Sequence, residues 1–363
     1  MRAQFLSAVR RDVNQRPELK SCLFRLSISN RSRLSGTPES DVREQFSKEY
    51  GGHVMKLSPA GAAGSPAAAR VAVVGGSGFI GRNLRKALDA AGVRTCSFTR
   101  QRPFVQGGRV HRALLRSHTV FYVAGGVTPA RAEREPRLAA QDYWNLQLLL
   151  WGLRGAAHRP LVVLAGSGGT VYDPEADPPY REDAPTRPVS AYGAVKLAQE
   201  RALAGAAWTA PVVLRLANVY GPGQSAGAGF GVIPHWAAAV RTGRALTLIG
   251  RSRRDYVHVD DVCAALLAVH RRADLLRAAR GPTTLNIGSG VPTSLDELHR
   301  HFERAAGRAL DVRREPARSF DRSDVWLDVA AAREVLGWTP RTGLADGLAG
   351  TLAAVAAPAR LPS

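Results

Sequence analysis

Two residues able to move protons, Tyr192 and Lys196, stand four apart in Ser-Ala-Tyr-Gly-Ala-Val-Lys-Leu-Ala-Gln-Glu, positions 190–200. The stretch reads as helix, so a spacing of four sets the ammonium beside the phenol on one face. A free phenol titrates near pH 10 and is a poor base at neutral pH. An adjacent cation favours its ionised form and brings it into range for general acid–base work. Upstream, the apolar run Leu161–Leu164 leads into Ala-Gly-Ser-Gly-Gly-Thr-Val-Tyr at 165–172, where Ser167 and Thr170 are candidates for gripping a substrate oxygen. A third feature, Val-Ala-Val-Val-Gly-Gly-Ser-Gly-Phe-Ile-Gly at 71–81, spaces Gly75, Gly78 and Gly81 three apart. Those glycines allow a tight turn, close backbone approach to a pyrophosphate and close helix–strand packing, which is the geometry of a dinucleotide site. A bound, oxidised nicotinamide would further favour the phenolate.

These groups need a scaffold that brings them to one edge. Val71 to Val74 suit a buried parallel strand. The helix predicted over Phe79–Ala91 carries Ile80, Leu84 and Leu88 on one side, stops at Gly92 and aims its first N–H groups at the phosphates. Helix and strand patterns alternate from Val71 to about Val219, which predicts an α/β fold with a doubly wound parallel sheet over residues 68–221. Residues 222–355 mix loops, short strands and helices. They are expected to form a smaller lobe over the sheet's carboxyl edge, where ligands bind in such sheets, with some segments returning to the first domain.

Further motifs follow in order. Tyr-Gly-Ala-Val-Lys (192–196) precedes Arg-Leu-Ala-Asn-Val-Tyr-Gly-Pro-Gly (215–223) and Arg-Asp-Tyr-Val-His-Val-Asp-Asp-Val (254–262). Asn-Ile-Gly-Ser-Gly (286–290) and Leu-Gly-Trp-Thr-Pro (336–340) come last. With the glycine loop and Ser-Gly-Gly-Thr-Val-Tyr (167–172), the chain resembles the NAD-dependent epimerase/dehydratase family from about residue 70 to 355. These are extended short-chain dehydrogenases/reductases that act on nucleotide sugars, and the resemblance is to the UDP-glucose 4-epimerase-like members.

The resemblance implies a Rossmann fold with a smaller C-terminal substrate-binding lobe. It makes Tyr192 the acid/base and Lys196 its partner, which also hydrogen-bonds the nicotinamide ribose. NAD or NADP would lie along Gly75, Gly78, Phe79, Ile80, Gly81, Ala124 and Gly125. Asn218 and Arg254 would meet the substrate's diphosphate, and Arg318 and Asp321 its phosphate and ribose; arginines suit a diphosphate through bidentate bonds. The implied activity is nucleotide-sugar 4-epimerisation, by oxidation and re-reduction at a hexose C4. The alternatives are an NADPH-dependent 4-ketoreductase of 4-keto-6-deoxy sugar nucleotides and, from another class, a catalytically silent nucleotide-binding protein. A homodimer through helices flanking Tyr192 is also implied. Asp260 and Asp261 are expected to cap a helix, and Trp338 to pack in the core.

Three departures stand out. Gly168 occupies the position where relatives carry the catalytic Ser or Thr, leaving Ser167 or Thr170 to supply a hydroxyl, and the same loop lacks the Asp-Glu pair of the 4,6-dehydratases. Thr99 stands where a carboxylate would grip the ribose 2′-OH of NAD, and Arg100 and Arg102 follow, which favours NADP. The segment Gln101–His118 contains no Asp or Glu and is short, leaving space for one strand or helix fewer than the family pattern.

Composition bounds the rest. The 363 residues hold 45 Arg and 5 Lys and carry a formal net charge of +20. The arginines are scattered, no basic run alternates with aromatics, and the bias matches a GC-rich coding sequence, so no specific nucleic-acid partner is expected. No stretch approaches a membrane span, and Cys22, Cys96 and Cys263 show no metal-ligand pattern, so the expectation is a reduced, cytoplasmic, metal-free enzyme. Residues 1–67 lack sustained periodicity and end in an Ala/Gly/Ser/Pro-rich linker; disorder is expected there. Gly51-Gly52 can be encoded by a purine-rich ribosome-binding stretch, which points to Met55 as a translation start.

Overall fold

The computed structural model describes residues 71–227, 231–316 and 324–356. The possible start at Met55, the N-terminal extension, Arg318 and Asp321 lie outside them.

The first domain begins with β1 (Val71–Val74), α1 (Phe79–Ala90) and β2 (Thr95–Phe98), and continues with β3 (Val105–Gln106), β4 (Arg109–Val110) and α2 (Arg112–Leu115). It goes on through β5 (Thr119–Tyr122), α3 (Pro129–Arg134), α4 (Pro136–Gly152), β6 (Leu161–Ser167), α5 (Ala191–Ala204), β7 (Ala210–Leu216) and β8 (Asn218–Tyr220). The remainder comprises α6 (Val232–Arg241), β9 (Leu246–Ile249), β10 (Arg253–His258), α7 (Val259–Arg271), α8 (Ala273–Ala278) and β11 (Thr283–Ile287). It closes with β12 (Pro292–Ser294), α9 (Leu295–Ala306), β13 (Val312–Glu315), β14 (Asp324–Val325), α10 (Ala330–Leu336) and α11 (Leu344–Ala356).

Six parallel strands form the central sheet in the order β11-β7-β6-β5-β1-β2. Parallel strands need crossovers, so both faces are covered, and β1, flanked by β5 and β2, is apolar and buried along its whole length. Alternation along β1 shows the division. Val71 and Val73 point to one layer with Leu84 and Leu88 of α1 and Val262 and Leu266 of α7, while Ala72 and Val74 face Leu146 and Leu149 of α4. Leu84 and Leu88 are fully buried, each contributing about 1.5–3 kcal/mol of apolar transfer. The result is a Rossmann-type α/β fold.

The sheet stops at β2. Where a further strand would lie, β3 and β4 pair only with each other through a tight turn at Gly107 and Gly108, whose φ values are 53° and 72°. The one-turn α2 follows, so the short carboxylate-free segment does correspond to an edge left without another strand.

The second lobe packs α6, α9 and α11 around Trp236, Leu298, Phe302 and Leu348, beside short sheets built on β10 and β9. Its chain returns to the first domain in several segments: α7 packs on α1, α8 on β6 and β7, β11 pairs with β7, and α10 packs on β11. One expectation is corrected here. His258 caps α7, its Nδ1 accepting from the N–H of Asp260 at 3.3 Å, because the extended residue at the cap is the histidine. Asp261 instead accepts from the N–H groups of Arg341 and Thr342, both at 3.0 Å, and Trp338 is buried with its indole donating to the Asp261 carbonyl.

Candidate active site

The glycine loop follows β1 at the sheet's carboxyl edge, and packing dictates its composition. Gly75 has φ +93°, and a Cβ there would meet the backbone of Ala124 at 2.6 Å; one at Gly81 would meet the Gly75 carbonyl oxygen at 2.1 Å. Gly78 starts α1 without any side-chain cap, and no acidic residue occupies the first turn. The N–H groups at Phe79 and Ile80 thus begin a helix whose positive end is uncompensated, suited to a phosphate. Ala124 and Gly125 leave β5 against this loop, and Gly125 has open space above it. The residues present therefore fit the diphosphate of a dinucleotide: glycine lets the loop fold tightly against Ala124 and α1, and the helix start behind it carries uncapped N–H groups and no acid in its first turn.

The acid–base pair lies further along the same edge. Ser190 caps α5 by accepting from the Gly193 N–H at 3.1 Å, placing Tyr192 in the first turn and Lys196 in the second. Lys196 is buried, with Nζ donating to the Ala165 carbonyl at 3.2 Å and standing 5.7 Å from the Tyr192 ring centroid. Gly193 lets the preceding loop close in, since a Cβ there would meet the Thr170 carbonyl at 2.4 Å. That contact carries the hydroxyl loop to the Tyr192 turn, where Thr170 Oγ1 donates to Ser167 Oγ at 2.8 Å.

Gly168 lies under Leu327. A Cβ at 168 would sit 2.6 and 2.9 Å from the two Leu327 methyls and 3.2 Å from the Arg215 carbonyl. Leu327 is 1% exposed, and its N–H donates to Asp255. Asp255, itself buried, also accepts from the Ser289 N–H and hydroxyl and the Gly290 N–H, so the segment bearing Leu327 is held in place. A leucine thus occupies the space a side chain at 168 would need.

Three buried ionisable side chains support the site. Glu200 pairs with Arg215 at 2.9 Å, and the guanidinium lies over the Tyr172 ring. Asp142 of α4 accepts from the Gly126 N–H with both oxygens at 2.9 Å, while its carbonyl accepts from Gln199 of α5. Burial pushes the Asp142 carboxyl above its ordinary range, opposed by the Gly126 N–H and the nearby Lys196 charge.

The candidates for binding substrate that fall within the described residues lie on two paired strands. Asn218 on β8 donates to the Asp255 carbonyl at 3.1 Å, and Arg254 on the neighbouring β10 donates to the Arg253 carbonyl at 3.1 Å. The sequence alone pointed to neither Asp142 nor Leu327. Asp142 sits in a helix with no motif around it, and Leu327 reaches Gly168 from 159 positions away. Among the described residues no cluster of His, Cys, Asp and Glu could hold a metal ion, and Cys96 and Cys263 are buried free thiols. No helix among them is long and apolar enough to cross a membrane.

Residues 71–288 match the model of the NAD dependent epimerase/dehydratase family. The chain belongs to that family. It is 34% identical over 251 residues to a UDP-glucose 4-epimerase of Mycolicibacterium smegmatis, covering 66% of this chain and 76% of that protein. It is 31% identical over 312 residues to a dTDP-6-deoxy-L-talose 4-dehydrogenase (NAD(P)(+)) of Kitasatospora kifunensis, covering 78% of this chain and 94% of the relative. Among solved structures, MoeE5 in complex with UDP-glucose and NAD superposes with a TM-score of 0.67 at 32% identity, over 78% of this chain and 97% of that one. An epimerase/dehydratase enzyme built for a nicotinamide dinucleotide is the reading common to the family match, the fold and the glycine loop.

Proposed function

We propose that this enzyme is a nucleotide-sugar 4-epimerase acting at C4 of a hexose. The observation that carries the reading is the meeting, at one sheet edge, of the Tyr192/Lys196 turn with the Ser167–Thr170 hydroxyl pair beside the glycine loop. The names of the similar proteins, which include UDP-glucose 4-epimerases, agree with it.

When bound, the nicotinamide supplies the acceptor and donor of hydride. The chain supplies everything else. Tyr192 Oη takes the proton of the C4 hydroxyl during oxidation and returns a proton to that oxygen during re-reduction, so the net proton count is zero. The Lys196 ammonium, fixed on the Ala165 carbonyl, stabilises the phenolate and reaches the cofactor ribose. Because Thr170 donates to Ser167, the Ser167 proton is left to bond the sugar oxygen in place of the hydroxyl absent at Gly168. Asn218 and Arg254, and Arg318 and Asp321 beyond the described residues, take the diphosphate and ribose of the substrate. The enzyme works as a homodimer paired through the helices around Tyr192.

A second reading has its own observation. Thr99 in place of a carboxylate, followed by Arg100, favours NADP, and a 4-ketoreductase of 4-keto-6-deoxy sugar nucleotides would then use Tyr192 as general acid toward the 4-keto oxygen. The test is to incubate the purified enzyme with UDP-galactose and separately with NADPH and a 4-keto-6-deoxy sugar nucleotide. Formation of UDP-glucose without net change in cofactor absorbance is expected. Consumption of NADPH only with the keto sugar selects the second reading.

A further inference from the structure

We infer that Glu133 is a positioning residue for the acid–base pair: its carboxylate crosses from α3 to the first turn of α5 and fixes the backbone that carries Tyr192. The inference rests on the acid–base reading of Tyr192 and is independent of the choice between epimerase and reductase.

The contact joins two distant parts of the chain. Glu133 Oε1 accepts from the Ala191 N–H at 2.6 Å, across 58 positions. Ser190 caps α5, so Ala191 is its first helical residue and Tyr192 its second. The N–H groups of a helix's first turn have no partner within the helix and carry its positive end. Ser190 Oγ accepts from the Gly193 N–H, and the Ala191 N–H is met from outside the helix. A carboxylate suits that place, because its charge strengthens the bond and complements the helix end. The adjacent Glu135 is engaged by Arg131 at 2.8 Å, so Glu133 is the acid of this segment that reaches α5.

What the bond fixes follows from the segment that delivers it. Residues 125–134 run as a strap from the end of β5, where Ala124 lies against the glycine loop, to the acid–base turn. Asp142 pins the start of the strap, both of its oxygens accepting from the Gly126 N–H at 2.9 Å. Glu133 pins its end. Between the pins, Val127 and Ala132 pack with Ala139 and Val195 in a small apolar cluster, and Ala191 and Tyr192 lie against the same cluster. Pro129 opens α3 and stiffens the strap by fixing φ there.

The two members of the acid–base pair are held unequally. Lys196, in the second turn of α5, is buried and bonded through Nζ to the Ala165 carbonyl. Tyr192 is half-buried, and its ring is placed by packing and by the backbone of the first turn. Helix ends fray, so that turn is where the pair needs support. Proton transfer requires Tyr192 Oη within hydrogen-bond reach of the sugar oxygen, and a small displacement costs rate steeply. Glu133 acts on Oη only through the backbone, so its loss should lower turnover rather than sugar affinity.

The test is hydrogen exchange by mass spectrometry on the whole chain, with initial rates on the same proteins. In Glu133→Ala the amides of residues 190–194 should exchange about 3- to 20-fold faster than in the parent, the range for one lost hydrogen bond, while those of 200–204 should not change. The kcat should fall about 5- to 20-fold, with KM for the sugar nucleotide within about twofold. Glu133→Gln keeps an oxygen acceptor and should restore both readouts to within about threefold of the parent. Glu135→Ala, which removes only the exposed pair with Arg131, should leave both unchanged. Unchanged exchange at 190–194 in Glu133→Ala overturns the inference, as does an increase spread evenly along α5, which would mark general loss of stability. Failure of Glu133→Gln to restore the readouts, or an equal effect of Glu135→Ala, also overturns it, since the acceptor would then be immaterial. A loss expressed in KM with kcat intact overturns it as well. The expected exchange pattern in a parent chain that turns over no sugar nucleotide upholds the hold of Glu133 on this turn and counts only against the proposed function.

Discussion

The two ends of the cofactor groove are built on different principles. At the proposed nicotinamide end, Lys196, Asp142, Glu200 and Arg215 are each at most 7% exposed and each holds a named partner. At the adenosine end, Arg100 is exposed just after β2, the edge strand of the six-stranded sheet, and Arg85 is exposed on α1. Packing over-determines the first region, because a misplaced buried charge is costly. The second needs only to present charge, so it bears on which ligand binds and hardly on folding. Substitutions at the two ends should therefore fail differently.

The sharpest separation is expected at Tyr192. Tyr192→Phe keeps the ring and its contact with Lys196 but removes the transferable proton, so kcat should fall about 10²- to 10⁴-fold. Dinucleotide affinity should stay within about twofold, because the ring and helix are retained. Initial rates alongside calorimetric titration would show it. A kcat within threefold of the parent would remove Tyr192 from the proposed chemistry.

Next in size is the buried ion pair. Glu200→Ala leaves the Arg215 guanidinium uncompensated beneath the site, at an expected cost of about 3–5 kcal/mol in urea unfolding. At the adenosine end, Arg100→Ala should alter stability by less than about 0.5 kcal/mol. Equal losses at the two positions would erase the distinction between a packed end and a charged end.

Smaller again is the contact at Gly168. Gly168→Ser must displace the Leu327 methyls and should cost about 1–3 kcal/mol. Leu327→Ala should cost about 2–5 kcal/mol by leaving a cavity. The double variant should be more stable than the sum of the two costs implies, since the added side chain enters the vacated space. Strict additivity would mean that Leu327 does not exclude a hydroxyl from this position.

How far the sequence reveals this arrangement depends on the range of the interactions. The glycine loop, the Tyr192/Lys196 turn and the alternation of strand and helix are local patterns, and α1 runs within one residue of its predicted end. The missing strand after β2 was legible too, as a short stretch without acids. Asp142 and Leu327 were not, because each matters only through a partner brought near by folding: Gly126 across a helix–loop contact, and Gly168 across 159 positions of chain. The cap of α7 was misassigned for a related reason. Asp260 and Asp261 are stronger capping types than histidine, but the tertiary bonds of Asp261 to Arg341 and Thr342 draw it inward and leave His258 at the cap.

Asp142 offers the finest test, because its charge belongs to the packed end but is sensed through pH. Burial raises its folded-state pKa above the unfolded value, so the native state holds this proton more tightly than the unfolded chain. The stabilising contribution of the protonated carboxyl is then fully present below the unfolded pKa, about 3.9, and is lost as pH rises through the folded value. Asp142→Asn keeps one acceptor for the Gly126 N–H and cannot ionise. The stability of the parent minus that of Asp142→Asn should therefore decline as pH is raised from 4 to 8, with contributions from all other titrating groups cancelling in the difference. Urea unfolding of both proteins across that range measures it. A difference that grows with pH would mean that the Gly126 amide and Lys196 outweigh burial, making the ionised carboxylate a net stabiliser of the catalytic end.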